Sequence, residues 1–191
     1  MNRPLPAIAT SLVGLWLVLV CDLWAQSGIW LDVPFVKQEK KLCGAACISM
    51  VLQYWSGFPK HRVSMAVPSL SEVAQRVSSK QTPGVQGKDM ERYFEECGYQ
   101  VFVFRAEWSD LEHHLNKGRP LIVCVEGGPK GSPFHYIVLV GIDSLRGLVF
   151  ANDPAQRKLL KLSQSSFERS WDATTRWTLL ALPRLTASAI D

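Results

Sequence analysis

Residues 43–55 place apolar side chains on nearly every side of a helical wheel: Ala45, Ala46, Ile48, Met50, Val51, Leu52 and Trp55. A helix with no polar face belongs in the centre of a fold, so this segment is predicted to be a buried central helix, ended by Gly57 and Pro59. Ser69-Leu-Ser-Glu72 has the spacing of a capping box and opens a second helix that runs to about residue 79. Residues 88–97 form a third, closed by Gly98, and Ser109-Asp-Leu-Glu112 caps a short fourth that stops at Gly118. These three are amphipathic surface helices. The texture then changes. Residues 120–126, 135–143, 148–152 and 176–182 are rich in Val, Ile and Leu and are separated by turn signals, which predicts strands, with 101–104 a shorter one. Residues 29–36, interrupted by Pro34, read as an extended edge segment running into a polar loop at 37–42. Helices gather in the first half and strands in the second. The class is therefore α+β, a helical half with a buried central helix packed on a C-terminal antiparallel sheet. No internal repeat and no second domain is visible.

The N-terminus breaks this pattern. No charge occurs between Arg3 and Asp22, and residues 12–21 are an apolar run. A basic start, an apolar stretch and a small residue at Ala25 predict a secretory signal peptide at residues 1–25, cleaved near Ala25–Gln26. An uncleaved membrane anchor is the second reading of the same residues, although Pro4 and Pro6 shorten its helix. A lipoprotein signal at Cys21 is disfavoured by Val20 in front of it. Residues 26–191 then form a single exported domain, periplasmic or extracellular, with membrane association possible only through the N-terminal segment.

Composition narrows the function. The 191 residues are 47% hydrophobic and 20% charged, and the 13 Gly and 11 Pro are scattered, which excludes disordered, collagen-like and coiled-coil chains. The net charge of +4 arises from dispersed basic residues, Lys37, Lys40 and Lys41 forming the tightest cluster, so nucleic acid is not an expected partner. Export permits disulfides for the remaining Cys43, Cys47, Cys97 and Cys124. A Cys43–Cys47 bridge is disfavoured, because residues four apart on a helix hold their Cβ atoms about 5–6 Å apart, beyond the roughly 3.5–4.5 Å of a disulfide. Cys97 and Cys124 are open to pairing or to burial as small hydrophobes.

Cys43 opens the apolar helix, where free backbone N–H groups and the positive end of the macrodipole favour a thiolate. Gly44 permits close approach of another backbone. Gln38, five residues upstream, is placed to bring an amide N–H to the same spot as an oxyanion donor. His135 opens a strand after the Gly/Pro-rich loop 127–133 and can reach into a cleft from there. That loop lacks the Lys-Ser/Thr ending of a phosphate cradle and precedes a strand. Asn152-Asp153-Pro154 ends the next strand. Because residues 135–143 and 148–152 pair through the turn 144–147, Asp153 returns to the edge that carries His135 and can fix its tautomer.

The order Gln, Cys, His, Asp, carried by Gln38-x4-Cys43-Gly44-Ala45-Ala46, His135-Tyr-Ile-Val-Leu-Val-Gly and Asn152-Asp153-Pro154, resembles the papain-like cysteine peptidases of the bacteriocin-processing, C39-like type. The resemblance spans residues 33–182. It implies a papain-like fold, Cys43 as nucleophile, His135 as general base, Asp153 as orienting aspartate, Gln38 in the oxyanion hole, a peptide or protein substrate and no cofactor. The best-known members precede an ABC exporter and cut after a double glycine. With neither a multi-span membrane domain nor a nucleotide-binding motif, this chain is read as a stand-alone exported relative.

Other chemistries fit less well. Zinc held by Cys43, Cys47 and His135 lacks a fourth ligand. His113 and His114 lie on a polar helix face, and His61 sits in a basic loop without a nameable partner. A transglutaminase-like acyl transferase uses the same three residues but passes the thioester to an amine, and a peptide-binding accessory keeps the cleft without turnover. Trp30, Phe35, Phe58 and Phe134 read as core residues, with a groove lining as the alternative.

Overall fold

The computed structural model describes residues 28–39, 41–58, 67–78, 84–127 and 134–184. The leader at 1–25, Cys21, Lys40, His61 and most of the loop before His135 lie outside the described residues. Within them no helix is long and apolar enough to cross a membrane.

The chain runs β1 (Ile29–Trp30), α1 (Cys43–Ser56), α2 (Leu70–Val77), α3 (Gly87–Glu96), β2 (Tyr99–Arg105), α4 (Trp108–Asn116), β3 (Leu121–Glu126), β4 (Phe134–Asp143), β5 (Leu148–Asn152), β6 (Leu160–Ser163), α5 (Gln164–Asp172) and β7 (Trp177–Pro183). The sheet is antiparallel in the order β2-β7-β3-β4-β5-β6, and β1 pairs with the distal part of β4, where Trp30 faces Gly141.

Alternate strand residues divide between two cores. Ile122, Val138, Val140, Leu179 and Ala181 face α1, α2 and α3. Leu121, Val123, Ile137, Leu139 and Leu180 face α4 and α5. Helices therefore cover both faces, which is why β3 and β4 read as continuous apolar runs instead of alternating ones. Helix α1 is buried from Gly44 through Leu52. Helix α2 has the expected box, with the Ser69 side chain accepting from Glu72 N–H and Glu72 accepting from Ser69 N–H. Gly98 at φ 84° supplies the left-handed turn after α3.

Four expectations need correction. The box that opens α4 is formed by Glu107 and Asp110, not Ser109 and Glu112. Ser109 lies within the helix, and Glu112 accepts instead from Trp108 Nε1 at 3.1 Å. Helices are not confined to the first half: α5, preceded by β6, buries Phe167 and Trp171 under the second core. Of the extended segment 29–36 only Ile29–Trp30 forms a strand: Leu31 N–H still donates to Val140 O at 2.6 Å, and the chain then leaves the ladder where Val33 N–H bonds back to Leu31 O at 2.9 Å. Of the four aromatic residues assigned to the core, Trp30 and Phe134 are 63% and 57% exposed and Phe58 is also exposed, whereas Phe35 packs against the first core.

Candidate active site

Cys43 is the first residue of α1, and no side chain caps that helix. Its first-turn amides are therefore available to an anion. The Gly44 and Tyr136 backbone N–H groups and the His135 side chain lie close enough to the Cys43 sulfur to favour its thiolate. Burial pushes the thiol pKa up, but these three donors and the charge of His135 outweigh it and hold Cys43 below an ordinary thiol.

His135 reaches the sulfur because β4 begins at Phe134, directly opposite the end of β3. The β4–β5 hairpin turns through residues 144–147, with Gly147 at φ 60°, and aligns Asn152 with Val138. Asp153 follows and starts a tight turn, closed by Asp153 N–H donating to Arg157 O at 3.1 Å and Gln156 N–H to Asp153 O at 3.0 Å. That turn brings the Asp153 carboxylate Oδ1 to 2.7 Å from His135 Nε2. The other ring nitrogen, Nδ1, is left to serve Cys43. Both His135 and Asp153 are buried. Burial lowers the His135 pKa, yet the hydrogen bonds to Asp153 and Cys43 and their charges raise it to about 9. Burial likewise raises Asp153, and the His135 contact more than reverses it, leaving the carboxylate below its usual range.

The sequence expectation thus has Cys43, His135 and Asp153 meeting at one point. Gln38 lies on the segment that leads into α1, and its backbone N–H donates to Pro154 O at 2.9 Å, so it is tied to the same turn as Asp153. Gly44 has a different role from the one expected. A Cβ there would meet Val85 Cβ at 2.7 Å and Met90 Sδ at 3.2 Å, so the glycine makes room for core side chains instead of a second backbone.

The remaining described cysteines are free thiols in apolar surroundings, Cys97 and Cys124 included. Burial raises the pKa of Cys47 and Cys97, and burial with the nearby Cys43 charge pushes Cys124 up to about 11. Cys43 is the one of the four that is lowered. No group of three metal-ligating side chains occurs among the described residues. A hollow of about 330 Å³ lined by Gly28, Glu112, Asn116 and Leu145 lies at the Asp143 end of β4, away from this chemistry.

Two contributors escape the sequence. Tyr136 supplies only a backbone N–H, which no residue type encodes. Gln156 donates Nε2 to Asp153 Oδ2 at 2.6 Å, three residues on in the turn whose Asx bond runs from Ala155 N–H to Asp153 Oδ1 at 2.9 Å.

A family model described as the Peptidase_C39 like family matches residues 30–178. The chain belongs to the Peptidase_C39-like family. Solved C39 structures share its papain-like α+β fold. A double glycine motif protease from an AMS/PCAT transporter, in complex with its leader peptide, aligns with TM-score 0.60 and 22% identity over 83% of this chain and 100% of that one. The peptidase domain of Streptococcus ComA, a bi-functional ABC transporter, aligns with TM-score 0.62 and 18% identity over 80% and 100%. A C39-like peptidase from Bacillus anthracis gives 0.60 and 14% over 84% and 100%. No curated protein matches the chain by sequence.

Proposed function

We propose that this C39-like chain is a peptidase that hydrolyses peptide bonds through Cys43, His135 and Asp153, with Gln38 in the oxyanion hole. The observation that carries the proposal is the buried His135, bonded through Nε2 to Asp153 Oδ1 at 2.7 Å and set beside Cys43 at the start of α1, where it favours the thiolate. The thiolate attacks the scissile carbonyl carbon, and the oxyanion that forms is held by the Gln38 side-chain amide and the Cys43 backbone N–H. The imidazolium returns its proton to the leaving amine, releasing the first product. Water, deprotonated by the now neutral His135, then cleaves the thioester and regenerates the thiol. The substrate is a peptide or protein segment, as a leader peptide is for the AMS/PCAT relative. With residues 1–25 acting as a leader or anchor, the reaction takes place beyond the membrane.

The test needs no known substrate. In the full chain, solubilised in mild detergent, iodoacetamide alkylation of Cys43 is followed against pH by peptide mass spectrometry, beside His135→Ala. Rapid alkylation well below the free-thiol pKa of about 8.5, lost in His135→Ala, is expected. An ordinary titration of Cys43 in both proteins would overturn the assignment.

A further inference from the structure

Asp153 has more partners than orienting a histidine requires. Its Oδ1 accepts from His135 Nε2 at 2.7 Å and from Ala155 N–H at 2.9 Å, so one oxygen serves both the histidine and the backbone. Its Oδ2 accepts from Gln156 Nε2 at 2.6 Å. Rotation about the Cβ–Cγ bond swings both oxygens, and the bonds to Oδ1 alone resist it from one side only. A second anchor on the other oxygen fixes the plane and with it the lone pair aimed at His135.

Gln156 has no other evident task. It is exposed and belongs to neither hydrophobic core. The turn that carries it is secured independently. Asn152, fully buried, donates Nδ2 to Val33 O at 3.0 Å and accepts from Leu159 N–H at 3.0 Å, and Lys158 pairs with Asp32 at 2.7 Å. Removing the Gln156 amide therefore leaves the turn in place and releases only Oδ2, with Oδ1 still held by His135 and Ala155 N–H.

Building on the peptidase reading above, we propose that Gln156 is a positioning residue that acts through Asp153, locking its carboxylate so that His135 is held as an imidazolium beside Cys43. A misaimed carboxylate stabilises the imidazolium less, and the thiolate then forms only at higher pH. Below the thiol pKa the alkylation rate follows the thiolate fraction, so a one-unit rise slows it about tenfold. Well above both pKa values the thiolate is complete and the rate is unaffected.

The experiment compares iodoacetamide alkylation of Cys43 in the full chain with that in Gln156→Met, which keeps the shape and loses the donor. Gln156→Met is expected to react about tenfold more slowly near pH 6 and at the wild-type rate near pH 9.5. A Gln156→Met profile that superimposes on wild type, or one slowed equally at every pH, overturns the role of Gln156 and leaves the peptidase reading standing. A wild-type Cys43 that titrates as an ordinary thiol overturns both.

Discussion

The backbone N–H of Gln38 donates to the carbonyl of Pro154 at 2.9 Å, joining the segment ahead of α1 to the residue that follows Asp153. The two sides of the proposed chemistry are thereby built as one unit. The turn that follows β5 fixes where the Asp153 charge behind His135 sits, and the same turn holds the backbone of Gln38. Asn152 reinforces the junction from below by donating to Val33 O. Displacing the turn would move Asp153 and Gln38 together.

Gln38→Ala keeps this backbone bond and removes only the side chain. If the amide holds the oxyanion, turnover of a peptide substrate should fall by about 10²–10³ with little change in KM. The alkylation of Cys43 should stay at the wild-type rate, because no oxyanion forms in that reaction. Steady-state kinetics beside the alkylation rate make the check, and a loss of only a few-fold in turnover would remove Gln38 from the oxyanion hole.

Asp153→Asn separates charge from orientation. The amide oxygen still accepts from His135 Nε2, so the ring stays aimed. The carboxylate charge that opposes burial is lost, and burial lowers the pKa of His135. In the wild type the active form carries thiolate and imidazolium, so activity should rise as Cys43 ionises below the ordinary thiol range and decline as His135 loses its proton near pH 9. In Asp153→Asn that upper limb should move toward neutrality, and Asp153→Ala should lose more activity at every pH. A pH–rate profile checks both. An upper limb still near 9 in Asp153→Asn would show that the carboxylate charge does not hold the proton.

Much of this site is legible in the sequence, because the residues that carry it sit at ends of elements whose patterns are strong. An all-apolar helix announces α1 and thus the position of Cys43, and the apolar runs on either side of residues 144–147 announce the hairpin that returns Asp153 to His135. What escapes is governed by tertiary context. Helix α5 contacts the core through Phe167 and Trp171 alone, one turn apart in a polar segment, and so has too little periodicity to stand out. At α4 two boxes compete within three residues, and the choice of Glu107 over Ser109 accompanies Arg176, which pairs with both Glu107 and Asp172. The exposure of Trp30 follows from its place on a two-residue strand at Gly141, which hydropathy cannot report.

Gly44 is predicted to be a packing requirement. An added Cβ would lie 2.7 Å from Val85 Cβ and 2.9 Å from Val85 Cγ1, and neither atom is the end of a flexible chain. Gly44→Ala should therefore destabilise the fold by about 1–3 kcal/mol. Val85→Gly in the same chain, which removes both of those atoms, should recover part of that loss, since the two positions are in direct contact. Thermal melts of the single and double variants test the coupling, and strictly additive losses would place the strain elsewhere.

Helix α5 is predicted to be integral to the domain although its sequence is mostly polar. Phe167 is 1% exposed and stacks on Trp171 with ring centroids 5.1 Å apart, while Trp171 lies beneath the Arg176 guanidinium at 5.4 Å. Thr174, just past the helix, donates to Cys124 O at 2.6 Å and so ties α5 to β3, the strand beside His135. Phe167→Ala removes a fully buried ring from between helix and sheet and should cost about 3–5 kcal/mol in urea unfolding. Because the tie through Thr174 runs to β3 and not to α1, the alkylation profile of Cys43 in the folded variant should keep its pH dependence. A loss below about 1 kcal/mol, outside the range for deleting a buried ring, would mean that α5 is a loosely attached flap and that the second core closes without it.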